Sequence, residues 1–552
     1  MLIEKNQELH QVVSIDPGRV RIQLNVPPPS SARSSSASSG APLGVTARAV
    51  LQEASRGLDA ALRRMCDAGA GCVPGDHGLT VTINATSADA GLDWGTDESY
   101  RLDVAAKGGT VRATVHAATV WGARHGVQTL SQLITAVTMP AVSAGAPPRV
   151  MLAAVSAARV SDAPRYPHRG VLVDTARHYL PLSALLRTVD ALAASKLNVL
   201  HWHATDAHSF PLLLAGAPLL ARTGAYSPRE VYTPAAVASL LRYARARGVR
   251  VLLEVDTPAH CSAGWGWGEA AGLGALVLCA ARQPWRQYCI QPPCGQLNPA
   301  NPNVYAVLAS VYRDLVRALP PGEFLHLGGD EVFTPCWNAS AEVTDYLAAT
   351  GRGRAEADFL SLWAEFHGGA LAALDAAAAR TDTPVVLWSS HLTRPPHVDG
   401  YLDKARYVIE TWTEAGDPLP EQLLARGYRI ILAAKDAWYL DHGWWGRTAY
   451  RSWRTVRDRR LPSAKGKAGA GAVLGGEAAL WGELADASTL DAKLWPRAAA
   501  LAERLWADPA EPSSAPGVEA RFLAHRDRLL SLGVRVEAVA PQWCQLHDGE
   551  CS

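Results

Sequence analysis

The chain has 552 residues, and its 53 Lys and Arg side chains balance 52 Asp and Glu. This length predicts a large domain together with an accessory one. Balanced charge provides no field that would attract nucleic acid or an anionic membrane, so neither is expected as a partner. No apolar run approaches the roughly 18 to 20 residues of a membrane span. Trp outnumbers Phe, 18 to 6, which favours flat amphipathic contact surfaces, although core packing explains any single Trp equally well.

The cysteines and glycosylation sequons indicate an oxidising compartment. Neighbouring cysteines form three groups along the chain: Cys66 and Cys72; Cys289, Cys294 and Cys336; Cys544 and Cys551. With nine cysteines in total, at least one stays unpaired within the chain. Acceptor sequons at Asn84 and Asn338 fit the same route. The segment after Met1 lacks the apolar stretch of a signal peptide.

The first third of the chain predicts a small domain behind a flexible start. Residues 1–44 are expected to be flexible, because 27–44 consist almost entirely of Pro, Ser, Gly and Ala. Residues 45–140 predict a compact α+β domain. Its expected elements are a helix over 46–65, strands over 79–85, 99–105 and 110–117, and a helix over 120–134. A passage rich in Pro and Ala, 140–164, then leads into a different pattern.

Residues 165–552 predict a barrel with a C-terminal extension. Eight short apolar runs recur, each followed by a helical stretch. They cover 170–174, 197–203, 249–256, 324–331, 385–388, 407–412, 429–433 and 472–477. Continuous apolar runs are typical of strands buried on both faces, so the fold class is α/β, a closed (β/α)8 TIM barrel with a smaller N-terminal α+β domain.

Polar and aromatic residues end nearly every run, at the edge where such barrels place their chemistry. The candidates are Arg169, Asp174, His201, His203, Asp206, Glu254, Asp256, His260, Asp330, Glu331, Trp388, Trp412, Tyr439, Asp441, Trp481 and Glu483. Trp faces around carboxylates suit a sugar ring, and glycoside cleavage needs a protonated acid and a negatively charged partner. Capping carboxylates at helix starts would explain one or two of these strand ends but not seven.

Asp330 and Glu331 are adjacent, and consecutive residues of a strand point to opposite sides. A chain that turns at the strand end would bring both into one pocket. Their mutual repulsion and burial would then raise one pKa, and Glu331 is expected to be the proton donor. A solvated helix start is the ordinary explanation of such a pair. The preceding Gly328 and Gly329 after an apolar run argue against it.

A competing interpretation starts from His201 and His203, because a His-x-His pair at a barrel strand end also occurs in metal-dependent amidohydrolases. That chemistry would require further His or Lys ligands on the middle strands. Those strands end in Trp388 and Trp412, which are not metal ligands. Neither a metal nor a cofactor is therefore expected, and the two His residues would serve as hydrogen-bonding supports for Asp206 and its neighbours.

Several ordered motifs together resemble the β-N-acetylhexosaminidases of glycoside hydrolase family 20, over residues 45–552. The motifs lie at 169–179, 201–206, 254–260, 326–332, 438–441, 475–483 and 494–498. The stretches 264–268 and 292–299 look like those of arthropod and other animal members. The resemblance implies an exo-acting, retaining enzyme whose nucleophile is the acetamido oxygen of the substrate itself, through an oxazolinium intermediate.

Residue roles follow from the same resemblance. Glu331 would protonate the leaving oxygen and later activate water, while Asp330 would orient the acetamido nitrogen. Asp206 and His260 would orient Glu331, and Tyr439 would hold the acetamido oxygen. The remaining contacts with the sugar are assigned to Arg169, Trp388, Trp412, Asp441, Trp481 and Glu483. Residues at the chain end would pack on the small domain with a Cys544–Cys551 disulfide, and Trp453 is a candidate for an outer subsite.

Three functions compete: this hexosaminidase, a metal-dependent amidohydrolase, and a catalytically silent sugar-binding relative. The third is weakened because no catalytic position of the motifs is lost. The expected partners are glycans that end in N-acetylglucosamine or N-acetylgalactosamine. A homodimer is expected from family habit alone. The expected location is secreted or lysosomal, including the exterior of the plasma membrane.

Overall fold

The computed structural model describes residues 2–3, 12–28, 43–67, 71–139, 149–443, 449–462 and 472–547. These residues form an α+β domain and a parallel barrel with surrounding helices, which confirms the predicted fold class. Among the described helices, none combines the length and the apolar character needed to cross a membrane.

The small domain is built on a mixed eight-stranded sheet with the order β1-β8-β4-β5-β3-β2-β7-β6. Its strands are β1 (Leu2–Ile3), β2 (Val12–Asn25), β3 (His77–Ala85), β4 (Tyr100–Lys107), β5 (Thr110–Ala117), β6 (Ile134–Met139), β7 (Arg149–Val155) and β8 (Ala157–Asp162). This sheet includes strands before residue 45 and after residue 140, so both expected bounds of the small domain are wrong. Strand β2 pairs with β3 and β7, so part of the start is ordered sheet, whereas 29–42 and 140–148 lie outside the described residues.

Helices α1 (Ala47–Asp67) and α2 (Val120–Gln132) cover one face of this sheet. Buried and exposed side chains alternate along β3 and β4, the pattern of a sheet with one covered face. Thr119 caps α2 by accepting a hydrogen bond from the Gly122 amide. Trp506, from the far end of the chain, packs into the same apolar core.

Eight parallel strands close the barrel, because β17 pairs with both β16 and β19. They are β9 (His168–Asp174), β10 (Val199–His203), β11 (Arg250–Thr257), β14 (His326–Gly328), β15 (Val385–Trp388), β16 (Tyr407–Thr411), β17 (Arg429–Leu432) and β19 (Val473–Leu480). The short strands β12 (Val277–Leu278) and β13 (Gln296–Leu297) form a hairpin in the loop after β11, and β18 (Tyr439–Asp441) adds to β19. The eight expected strands are thus all present.

Helices surround the barrel and continue beyond it. They are α3 (Leu182–Ala194), α4 (Pro218–Gly224), α5 (Pro234–Ala246), α6 (Pro302–Ala318), α7 (Thr334–Asn338), α8 (Ala341–Ala349), α9 (Glu356–Ala378), α10 (His397–Tyr401), α11 (Leu419–Ala425), α12 (Trp453–Asp458), α13 (Leu490–Leu494), α14 (Arg497–Ala507), α15 (Val518–Ser531) and α16 (Gln542–Leu546). Arg528 of α15 donates to the carbonyl of Gln132, so the C-terminal extension touches the small domain.

The barrel interior is stacked in layers, because every second residue of a strand points inward. An apolar floor at the amino ends of the strands contains Val199, Leu252, Phe324, Val386, Val408, Ile431 and Leu474. A charged middle layer contains His201, Glu254, His326, Glu410 and Glu477. An upper layer contains Leu172, Trp388, Ala433, Tyr439 and Ala479, with Trp412 and Trp481 packed against it. The charged and aromatic layers thus lie above the apolar floor, toward the carboxyl ends of the strands.

Three disulfides lie within the described residues: Cys66–Cys72, Cys279–Cys336 and Cys289–Cys294. The pairing of Cys66 with Cys72 is confirmed. Cys336 pairs with Cys279, which the spacing argument had not included, and Cys261 is a buried free thiol. Cys551 lies outside the described residues, so its bond to Cys544 stays a prediction.

A buried charged cluster joins the two domains. Arg169, at the start of β9, forms a two-pronged ion pair with Glu98 of the small domain, at 2.7 and 2.9 Å. His125 donates to the same carboxylate at 2.9 Å, and burial lowers the pKa of this imidazole to about 4. The Arg169 guanidinium also lies 5.1 Å from the ring of Trp506. Because the cluster is excluded from water, each charge depends on its partners.

We expect Arg169→Met to destabilise the protein by about 3 to 5 kcal/mol, because it leaves the Glu98 carboxylate buried without its cation. The midpoint of urea unfolding measures this loss. Arg101→Gln is the matched control, since Arg101 forms an exposed pair with Asp103 whose removal costs about 1 kcal/mol or less. Equal losses in the two variants would contradict the assignment.

Candidate active site

A sharp turn after β14 brings two consecutive carboxylates to the barrel mouth. Gly328, Gly329 and Glu331 have φ values of +67°, +93° and +50°. A Cβ on Gly328 would lie 1.7 Å from Oδ1 of Asp256, and one on Gly329 would lie 2.9 Å from the ring of His367. The backbone amide of Gly329 donates to Asp256 at 3.2 Å. Both glycines are therefore required by close approach as well as by conformation.

Asp330, Glu331 and His260 form one cluster. One atom of each, a ring nitrogen or a carboxylate oxygen, lies within 4.8 Å of the other two. Nε2 of His260 lies 3.3 Å from Oε2 of Glu331. Oδ1 of Asp330 is buried and has no hydrogen-bond partner among the residues that the structure describes. A buried acceptor of this kind is available for a donor on a bound molecule.

The protonation of the pair differs from the sequence-based expectation. Burial raises the pKa of Asp330 to about 6, and the neighbouring Glu331 contributes to the rise. Burial alone would also raise the pKa of Glu331, but the charged imidazole of His260, 3.3 Å from Oε2, outweighs it and lowers that pKa. The raised pKa therefore lies on Asp330 and not, as expected from the sequence, on Glu331. The reason is His260, which the adjacent pair alone does not reveal.

His260 is fixed and charged by a chain of polar contacts. Its Nδ1 lies 3.7 Å from Asp206, which also binds Arg177 at 2.9 Å and His203 at 3.2 Å. Although burial opposes it, Asp206 and Glu331 together raise the pKa of His260 to about 10. His260 thus presents a cation to Glu331, as the resemblance implies for an orienting pair.

Glu254 anchors the layer below the site. It accepts hydrogen bonds from Nε2 of His201 at 3.0 Å, Nδ1 of His203 at 2.6 Å and Nε1 of Trp388 at 2.8 Å. Nδ1 of His201 donates to Glu477 at 2.8 Å. Both nitrogens of each imidazole face carboxylates, and these raise their pKa values despite burial. The rings therefore act as charged supports for the carboxylates around them.

Four aromatic side chains wall the site. Trp388 and Trp481 lie 5.8 Å apart between ring centres, and Tyr439 lies 6.4 Å from Trp481. Burial, with Asp330 nearby, raises the pKa of Tyr439 well above its ordinary value, so its hydroxyl keeps its proton. Trp412 donates from Nε1 to the carbonyl of Ser389 at 2.6 Å and lines an adjoining cleft of about 680 Å³. These four expected residues are brought together.

Charged residues complete the rim. Asp441 pairs with Lys493, and Oε2 of Glu483 is buried without a hydrogen-bond partner among the described residues. The Arg177 guanidinium lies 5.1 Å from the Trp481 ring and 3.2 Å from Asp174. Carboxylates around Arg177, first Asp206, raise its pKa although burial opposes this.

Two assignments made from the sequence are wrong. Arg169 is buried at the opposite end of β9, where Glu98 and backbone carbonyls occupy its donors, so it cannot reach the barrel mouth. Arg177 takes that place, three residues beyond the end of the strand. Trp453 stacks on Phe522 of α15, with ring centres 4.1 Å apart, and is no outer subsite.

Sequence reasoning also missed the support behind Glu331. Gln296 accepts from the amide of Phe333 and donates to its carbonyl, two residues beyond Glu331. The disulfide Cys279–Cys336 ties the same loop to α7. The sequence contains no periodicity that would pair these positions, since the contact spans 37 residues.

Comparison with known proteins identifies the family. The model of glycosyl hydrolase family 20, catalytic domain, matches residues 166–509, and a model described as beta-acetyl hexosaminidase like matches residues 75–133. The chain belongs to glycosyl hydrolase family 20. It is a glycoside hydrolase with exo-β-N-acetylhexosaminidase activity, which confirms the function expected from the sequence.

Curated relatives of this family 20 enzyme include insect and human proteins. A chitooligosaccharidolytic β-N-acetylglucosaminidase of Ostrinia furnacalis is 41% identical over 480 residues, which is 85% of this chain and 77% of that protein. The β subunit of human β-hexosaminidase is 33% identical and covers 84% of this chain and 76% of its own. The fold of Flavobacterium johnsoniae chitobiase matches with a TM-score of 0.70 at 23% identity, over 97% of this chain and 73% of that one.

The carboxyl pair sets the alkaline limb of the pH profile, and the charge on His260 shifts that limb to lower pH. Asp330, with a pKa of about 6, holds a proton that the carboxyl pair loses as pH rises. We therefore expect kcat/KM of this family 20 enzyme to fall above about pH 6, by about tenfold per pH unit. His260 lowers the pKa of both carboxyls. His260→Asn should therefore move the fall in kcat/KM to higher pH, regardless of how much the substitution lowers the maximal kcat/KM.

The measurement is kcat/KM for an aryl N-acetyl-β-glucosaminide over the range from about pH 4 to about pH 9. His397→Asn, a substitution outside the site at the start of α10, is the matched control and should leave the limb in place. A limb that stays fixed or moves to lower pH in His260→Asn would refute the coupling.

Proposed function

We propose that this chain removes terminal β-linked N-acetylhexosamine with Glu331 as acid and base and with the acetamido oxygen of the substrate as nucleophile. The observation that carries the proposal is the presence of Asp330 and Glu331 in one pocket, at most 4.8 Å apart at their closest oxygens. In one pocket, Glu331 can act as the proton donor while Asp330 supports the acetamido group of the same sugar. The rule that relates carboxyl spacing to retention or inversion does not apply to such substrate-assisted reactions.

The acetamido group would fit the space beside Asp330. Oδ1 of Asp330 is an unpartnered acceptor for the acetamido N–H, and the protonated hydroxyl of Tyr439 is a donor for the acetamido oxygen. Trp388 and Trp481 supply apolar faces for the methyl group. Held at both ends, the amide oxygen would be directed at the anomeric carbon.

The proposed hydrolysis proceeds in two steps, each balanced in atoms and charge. In the first, Glu331 gives its proton to the glycosidic oxygen, the bond between C1 and that oxygen breaks, and the acetamido oxygen bonds to C1. Asp330 stabilises the positive charge of the resulting oxazolinium ring. In the second, Glu331 takes a proton from water, the water oxygen bonds to C1, and the ring opens. Configuration is retained because C1 is inverted twice.

Substrate binding would transfer to Glu331 the proton that Asp330 holds before the sugar enters. A hydrogen bond from the acetamido N–H to Asp330 favours the charged form of that carboxyl. The sugar also removes water from Glu331, which disfavours its charged form. Both effects move the proton of the carboxyl pair toward Glu331. Glu331 would then be the protonated acid beside the leaving oxygen.

Arg177, Asp441 and Glu483 would bind the sugar hydroxyls. Arg177 is held against Asp174 and Asp206, so its fork is fixed before any sugar arrives. Asp441 is held by Lys493, and Glu483 offers a buried free oxygen. Trp412 would stack on the ring or on a further sugar along the adjoining cleft.

The substrates would be glycans or chitooligosaccharides with a terminal N-acetylhexosamine. Relatives whose names include chitooligosaccharides, at 41% and 40% identity, support that class. Three disulfides among the described residues support a secreted or lysosomal location. Relative rates on chitobiose and on a biantennary N-glycan test the substrate choice. The homodimer stays a prediction.

Two substitutions separate the roles of the carboxyls. Glu331→Gln should lower kcat by roughly 10²-fold or more on a substrate with a poor leaving group, and less on a dinitrophenyl glycoside, which needs no acid to depart. Asp330→Asn should strongly lower kcat on both substrates and weaken the binding of oxazoline-like inhibitors, because Asp330 acts on the acetamido nucleophile.

Glu342→Gln, an exposed carboxylate on α8 outside the cleft, is the control and should keep wild-type rates. Turnover by wild-type protein should also persist in the presence of a chelator. Near-normal rates in Glu331→Gln on the poor leaving group would reject its role as acid.

The two arginines of the first barrel motif should behave in opposite ways. Arg177→Lys keeps the charge but loses the fork, so kcat/KM should fall by about 10- to 100-fold. Arg169→Lys, the matched control, should reduce stability and leave kcat/KM of the folded fraction within about threefold. A larger kinetic loss in Arg169→Lys than in Arg177→Lys would reverse the assignment.

A further inference from the structure

A second cavity, of about 350 Å³, lies where the small domain meets the back of the barrel. Helices α1 and α2 line it on one side, and α3 and α15 line it on the other. Its charged lining consists of Glu53, Arg56, Arg64, Arg124, Asp190, Arg247 and Arg528. None of these residues belongs to the active site, whose side chains come from the carboxyl ends of the barrel strands.

The charges around this cavity do not balance. Arg247 pairs with both carboxylates, Glu53 and Asp190, at 2.7 Å each, and Arg56 pairs with Glu53 at 2.7 Å. Both carboxylates of the lining are therefore already neutralised by arginine. Arg64 and Arg528 have no carboxylate of the lining within ion-pair distance. The lining of the cavity thus carries an excess of positive charge, with five arginines against two carboxylates.

Arg124 faces the cavity without a partner. Its side chain is only 8% exposed, yet its guanidinium forms no hydrogen bond or ion pair within the described part of the chain. Burial, reinforced by the nearby Arg247, lowers its pKa to about 10, although the charges of Glu98, Glu53 and Asp190 act in the opposite direction. Nε of Arg64 is also buried and unpartnered there. Buried arginines are almost always paired, so this arrangement indicates an anion.

We propose that this cavity is a binding site for a phosphate or sulfate group, with Arg124 as its central ligand. Planar guanidinium groups bind tetrahedral oxyanions through paired N–H donors, and several arginines around one cavity favour two negative charges over one. Arg124 belongs to the small domain and Arg528 to the C-terminal extension of the barrel. A bound oxyanion therefore bridges the two domains and stabilises the folded chain.

Thermal unfolding of the full chain tests the site, with potassium phosphate, potassium sulfate and glucose 6-phosphate as probes against potassium chloride at equal ionic strength. We expect a saturable rise in Tm of about 2 to 4 °C at low millimolar phosphate or sulfate. General salting-out by these ions is not saturable and needs far higher concentrations. A response to glucose 6-phosphate indicates that the site accepts a sugar ester, and a response to the inorganic ions alone indicates a free oxyanion.

Arg124→Gln should lose the saturable response and, in chloride, should unfold at or above the wild-type Tm, because it removes a buried unpaired charge. Its turnover of an aryl glycoside should equal that of the wild type, which shows that it is folded. Arg112→Gln, on the exposed surface of the same domain, is the matched control and should respond as the wild type does. Titration calorimetry with inorganic phosphate gives a second measure. The proposal is overturned by a wild type that responds to phosphate and sulfate no more than to chloride, or by an Arg124→Gln variant that responds as the wild type does.

Discussion

Two consecutive carboxylates can share one pocket only where the backbone stops behaving as a strand. The left-handed turn over Gly328, Gly329 and Glu331 meets that condition, and Glu331 adopts it at a cost that glycine would not incur. The surroundings hold the turn in place. Asp256 binds the Gly329 amide, and Gln296 clamps Phe333 just beyond it. The position of this carboxyl pair therefore depends on residues that follow a different strand.

The charged middle layer has a similar role beneath the site. Barrels of this kind are usually filled by apolar side chains, whereas here Glu254 collects donors from His201, His203 and Trp388. Each of those donors is thereby fixed in orientation, and Trp388 forms part of the proposed substrate wall. Such a layer is costly to bury, and its benefit is positional precision at the mouth. Glu410, whose pKa burial and Glu477 raise to about 7, shows that the layer holds more acid than its imidazoles neutralise.

Much of this architecture follows from the sequence because it is local. Apolar runs that end in polar residues predict eight strands and also the edge at which chemistry occurs. Contacts between distant segments were beyond that reasoning, as for β2 and for the Gln296 clamp. The sequence could have favoured Arg177 over Arg169 as the arginine at the barrel mouth, because Arg169 lies near the start of its strand and Arg177 follows the strand end. The sequence could not predict which carboxyl of the pair carries the raised pKa, because this depends on His260, which follows another strand.

The seam between the domains has a consequence for how this fold can be divided. Arg169 and Lys196 of the barrel find their counter-charges in Glu98 and Asp162 of the small domain, and Trp506 packs against both cations. An isolated barrel would expose an arginine and a lysine whose partners had been removed, together with an indole face lacking its cover. The amino-terminal sheet therefore acts as an obligatory part of one folding unit, and neither piece is suited to independent transfer onto another scaffold.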